Sequence, residues 1–136
     1  MRAMRDPGAI IAQARQGNVP AGWEMFTRRR GAVGAFFNGT SGDPDPLLVF
    51  TTDAAVEYIN AKKPPAAAYF ADLESVRLAG RATTSSDSSL ATLHVWLDLR
   101  YGDGAKDKWQ SHAFQGNLEV IQQFLESYGA WKARSR

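Results

Sequence analysis

The chain has 136 residues, 44% hydrophobic and 11% aromatic, which is the length of one ordinary domain and enough apolar material to bury roughly two-thirds of its unfolded surface. Lys plus Arg number 16 against 14 Asp plus Glu, so the net charge is only +2 and no strong field for nucleic acid is built into the total. Cysteine is absent, which excludes disulfides, thiol nucleophiles and thiolate metal sites together and makes the chain indifferent to redox compartment.

The N-terminal stretch "MRAMRDPGAIIAQARQGNVP" has an apolar run of only Ala9 to Ala12, short of a secretory core. Nothing in the chain approaches the ~20 apolar residues that span a bilayer, so a cytoplasmic protein is expected. Asp6 before Pro7 reads as an N-cap with proline at the first helical position, and Gly17 as the stop, which predicts a short helix over 7–16. In "GWEMFTRRRGAVGAFFNG" two aromatic clusters surround a basic triplet and a glycine break. Two short strands fit, and so does a helix over 20–30 with Trp23 and Phe26 on one side. "NGTSGDPDP" at 38–46 carries the Asn-Gly, Ser-Gly and Asp-Pro steps of an exposed loop.

"PLLVFTT" predicts a strand, and the segment after it supports two readings. Asp53 can cap a helix with Glu57 near its positive end, Lys62 and Lys63 near its negative end and Pro64 as the stop. The same residues also read as a turn at Thr52-Asp53-Ala54-Ala55 with a return strand carrying Val56, Tyr58 and Ile59. "YFADLESVRLAG" at 69–80 predicts a strand whose apolar phase changes between Leu73 and Val76, the mark of a bend or bulge. "RATTSSDSS" reads as a polar loop.

From Leu93 to Tyr101 the alternation is nearly unbroken, with Leu93, Val95, Leu97, Leu99 and Tyr101 on one face and His94, Trp96, Asp98 and Arg100 on the other. Gly102-Asp103-Gly104 turns the chain, and Lys106 to Gln115 returns it. A three-residue loop sets Leu97 beside Trp109 inside, and pairs Asp98 with Lys108 and His94 with His112 outside. A catalytic zinc site needs a third protein ligand, and Asp98 lies about 13 Å along the strand from His94, so the histidines are read as framework. No metal or other cofactor is expected. Finally "NLEVIQQFLESYGAWK" predicts a helix capped by Asn117 and ended by Gly129, with Leu118, Ile121, Phe124, Leu125 and Tyr128 as its core-facing stripe.

One domain over 1–136 follows: an extension with a short helix over 1–20, a β-rich body over 21–116 and a helix over 117–131. The fold class is α+β, mainly an antiparallel bent sheet or partly open barrel closed by a C-terminal amphipathic helix. Strands are expected at 23–30, 32–38, 46–52, 55–60, 68–79, 90–101 and 106–115 if 53–63 forms a hairpin. The pattern "FTTDAAVEYI … YFADLESVRL … LHVWLDLRYGDG" resembles bacterial members of the pleckstrin-homology-like superfold over about 90 residues. Layout of this kind does not fix function.

In membrane-binding members of that superfold, the resemblance implies, a strand lysine followed by Arg-x-Arg holds a phosphoinositide headgroup. Arg28 and Arg30 supply the Arg-x-Arg, but no lysine precedes Lys62 and the arginines stand before the turn. Arg28, Arg29 and Arg30 are therefore the candidate anion or partner site, with weak anionic-lipid contact and no specific phosphoinositide binding expected. Nucleic-acid binding through the same arginines and Trp23, Phe26, Phe36 and Phe37 is the less favoured reading. No Gly-x-Ser-x-Gly, phosphate-binding glycine loop or His-Glu-x-x-His occurs, so a protein- or peptide-binding module is expected over an enzyme. An enzyme site assembled from distant residues is the remaining alternative.

Overall fold

The computed structural model describes residues 7–27, 45–84, 91–110 and 118–135. Helix α1 runs Pro7–Arg15. Its end is set by Gly17, whose φ of 80° lies in the left-handed region that favours glycine. Gly17 N–H donates to the Ala14 carbonyl at 3.1 Å and Asn18 N–H to the Gln13 carbonyl at 3.2 Å, the paired bonds of a Schellman cap.

Strands β1 (Glu24–Thr27), β2 (Leu47–Phe50), β3 (Ala54–Tyr58) and β4 (Ala66–Tyr69) form an antiparallel sheet in that order. The segment 24–27 is thus strand rather than helix. Every residue of β2 is buried because the sheet is covered twice. Leu47 and Val49 join Ala54, Val56 and Ala67 against Ile11 and Ala14 of α1, while Leu48 and Phe50 join Ala55 and Ala68 in the main core. Such two-sided burial explains why "LLVF" is apolar without alternation.

The ambiguous segment after β2 is a hairpin. Its two-residue loop is Thr52-Asp53, so β3 starts at Ala54 rather than after Ala55, and Ile59 lies beyond the strand. Thr51 is 7% exposed, and its hydroxyl oxygen accepts from Asp53 N–H at 3.1 Å and Ala54 N–H at 3.0 Å. The carbonyl of Asp53 accepts from Phe70 N–H at 2.9 Å. The cations that fitted a helix C-terminus belong instead to a turn in which Asn60 Oδ1 accepts from Lys62 N–H. Replacing Thr51 by Val removes an acceptor shared by two backbone donors. Urea denaturation of Thr51→Val is expected to show a loss of about 1–3 kcal/mol; an unchanged midpoint contradicts this account of the turn.

After β4 a single 3-10 turn, Phe70–Asp72, drives the fully buried Phe70 inward and starts β5 (Leu73–Thr84). The single strand expected over 68–79 is therefore two strands around a corner, and residues 81–84, expected as the start of a loop, belong to β5. Pairing with β6 (Ala91–Tyr101) shifts register between Leu73 and Ser75, where the change of apolar phase predicted a bulge. β7 (Lys106–Trp109) completes a second antiparallel sheet in the order β5-β6-β7. Its register pairs Leu97 with Trp109 and Asp98 with Lys108, as the three-residue loop requires. Tyr101 N–H donates to the Ala105 carbonyl at 2.9 Å, and Gly104 has φ 92°.

Helix α2 runs Leu118–Arg134, five residues past Gly129, which does not end it. Its contacts hold those last turns: Tyr128 and Trp131 both pack on the Phe70 ring, and Arg134 Nη2 donates to the Thr52 carbonyl at 2.7 Å. Lys132 and Arg134 also suit the negative helix end. The buried stripe is Val120, Ile121, Phe124 and Tyr128, with Leu125 and Trp131 packed beside it. Leu118, expected in the stripe, is 60% exposed, and Val120 takes its place. Burial pushes the Tyr128 phenol above its ordinary pKa of 10.0, so its contribution is present below that value and lost as alkali titrates the folded state.

The architecture is α+β: two antiparallel sheets, a short N-terminal helix on the outside of the first, and a C-terminal helix against the core between them. Among the described residues the sheets do not close into a barrel. The expected strand at 32–38, the caps Asp6 and Asn117, and residues 38–44 of the expected loop lie outside the described residues.

Candidate interaction surface

Arg28, Arg29 and Arg30 lie outside the described residues, as does His112. The described part of the chain draws attention elsewhere, to the second sheet. β5 has 12 residues and β6 has 11, whereas among the described residues β7 has 4 and pairs with β6 from Leu97 to Arg100. The β5–β6 ribbon therefore extends beyond the described pairing with β7. Leu97, Leu99 and Tyr101 are buried beneath it, and Val76 and Val95 are partly buried at the edge of the core. On the same face Leu78, on edge strand β5 opposite the buried Leu97, is 54% exposed, and Leu93, further out along β6, is 66% exposed. The alternation that placed Leu93 inside was right about its face; the core simply ends before reaching it.

The opposite face has a different chemistry. Antiparallel partners share a face, so the pairs Ser75–Arg100, Arg77–Asp98, Arg81–His94, Asp98–Lys108 and Arg100–Lys106 set these side chains together on the outer side. Arg77, Arg81, Arg100, Lys106 and Lys108 are all exposed there. Arg100 reaches Glu74 at 3.9 Å, a contact between exposed groups that adds little stability. At the centre, Trp96 Nε1 donates to Asp98 Oδ1 at 3.1 Å, and the Lys108 ammonium lies 3.9 Å from the centroid of the Trp96 ring. This cation–π contact and the indole hydrogen bond fix three side chains on adjacent strands.

His94 is exposed opposite Arg81, on this outer face. Among the described residues no group of three His, Asp or Glu side chains is placed to hold a metal ion. No helix among them is long and apolar enough to cross a membrane.

The basic outer face was present in the sequence as an alternation but was divided by a wrong boundary. Treating Arg81 as the start of a loop removed it from the strand that carries Arg77. The cations on β6 and β7 then stood as isolated charges, and only the arginine run at 28–30 stood out. No family model, no curated protein and no solved structure matches the chain.

Proposed function

We propose that this chain is a pleckstrin-homology-like interaction module that binds a protein or peptide through the projecting half of its second sheet. The observation that carries the reading is the exposure of Leu78 and Leu93 on the apolar face of the β5–β6 ribbon, Leu78 on the outermost strand of its sheet and Leu93 beyond the partly buried Val95. Apolar side chains on a hydrogen-bonded ribbon offer contact area with little conformational entropy to lose on binding. The order of elements, with two antiparallel sheets and a C-terminal helix against the core, is compatible with the pleckstrin-homology-like layout.

The test is selection from a random peptide-display library on the intact chain, followed by mapping of a selected peptide on the amide resonances. The expected footprint covers 76–84 and 91–97. Failure to enrich any sequence, or a footprint confined to α1 and the first sheet, overturns the reading.

A further inference from the structure

We propose that the outer face of the second sheet receives an acidic, extended protein segment. The inference rests on the reading of the chain as an interaction module and adds to it the face of the ribbon opposite Leu78 and Leu93, with a partner of stated chemistry. Arg77, Arg81, Arg100, Lys106 and Lys108 share this face, with Asp98 the carboxylate among them and Glu74 beside Arg100 at the bulge. Five of the 16 Lys and Arg residues of the chain thus stand on one side of one sheet.

Geometry favours an extended segment. Cations two apart on a strand, such as Lys106 and Lys108, stand about 7 Å apart by the strand rise, and Arg77 and Arg81 about 13 Å. One face of an extended peptide repeats at the same interval, so carboxylates at alternate positions meet successive cations. Guanidinium groups also match carboxylates with two parallel hydrogen bonds.

Asp98 and Trp96 decide between an acidic peptide and other polyanions. Asp98 stands in the middle of the cations, directly between Arg77 and Lys108 across the three strands. A phosphate backbone or an anionic membrane presents negative charge uniformly and meets Asp98 with repulsion. A peptide can set a neutral side chain opposite it. Single-stranded nucleic acid further needs open aromatic faces for its bases to stack on. Here the Trp96 ring is covered by Lys108 and its N–H is tied to Asp98.

The experiment measures fluorescence anisotropy of a labelled peptide in which Glu alternates with Thr, against the intact chain. Binding that weakens as salt is raised is expected. Arg77→Gln with Arg81→Gln should weaken it about tenfold, the loss that two charge-assisted contacts carry. The equally charge-reducing pair Lys62→Gln with Lys63→Gln, in the turn before β4, should leave it unchanged. Asp98→Asn should improve binding of an oligodeoxythymidine more than binding of the Glu–Thr peptide. The proposal is overturned if the lysine pair weakens binding as much as the arginine pair does. It is equally overturned if oligodeoxythymidine or phosphatidylserine vesicles bind the native chain more tightly than the peptide does. If the peptide does not bind while display selection still yields ligands at 76–84 and 91–97, the acidic partner is wrong and the module reading stands. If neither binds, both fall.

Discussion

Phe124→Asp is expected to abolish the cooperative thermal transition of this protein. Phe124 is fully buried, and its ring is the point where the separate layers meet. The centroid of the ring lies 5.8 Å from that of Phe50 on the first sheet, 6.1 Å from Phe70 at the corner and 5.2 Å from Trp109 on the second sheet. Removing a buried aromatic side chain costs about 3–5 kcal/mol, and an unpaired carboxylate in its place adds several more. Together these match the whole stability of an ordinary domain, about 5–15 kcal/mol. Leu118→Asp on the same helix is the control. Leu118 is exposed and stands in the first turn, where a negative charge suits the helix dipole, so its transition should be unchanged. Native-like melting of Phe124→Asp, or unfolding by Leu118→Asp, contradicts this placement of the helix.

The second large effect is at Trp109, where packing and a polar contact can be separated. Its side chain is 3% exposed, and its Nε1 donates to Glu57 Oε2 at 3.0 Å across 52 residues of sequence. That bond joins β7 of the second sheet to β3 of the first. Trp109→Ala is expected to cost about 3–5 kcal/mol through the cavity it leaves. Trp109→Phe keeps most of the ring volume and loses the bond to a charged acceptor, so about 1.5–3 kcal/mol is expected. Urea denaturation of the two variants gives the comparison. Equal losses in both would mean that the hydrogen bond, rather than the packing, holds the sheets together; a negligible loss in Trp109→Ala would remove the residue from the core.

The candidate surface was legible only in fragments. Alternation correctly put Trp96, Asp98 and Arg100 on one side of β6, and the turn Gly102-Asp103-Gly104 set Lys108 opposite Asp98. What was lost was β5 beyond Gly80, because "RATT" has the polarity of a loop. It is a strand because Arg81, Ala82, Thr83 and Thr84 pair with His94, Leu93, Thr92 and Ala91. A ribbon exposed on both faces needs no apolar side chains to keep its backbone bonds, so hydrophobic pattern cannot mark its end.

Signals carried within a few residues held in the folded chain. Gly17 stopped α1, the glycine turn registered Leu97 against Trp109, and the phase change between Leu73 and Val76 became a bulge. Each depends on backbone geometry or on the two-residue repeat of a strand, which are local properties. Tertiary structure decided the rest where local preference was balanced or opposed. Residues 54–58 are a strand because β2 and β4 lie on either side and take their hydrogen bonds, which a helix over 53–63 would forfeit. α2 passes Gly129 because Tyr128 and Trp131 pack on Phe70 and Arg134 bonds to Thr52. A single glycine costs a helix only about 1 kcal/mol, less than those contacts return. Leu93 and Leu78 are exposed although their faces are apolar, because periodicity assigns a side chain to a face and only the body beneath the sheet determines how far that face is covered.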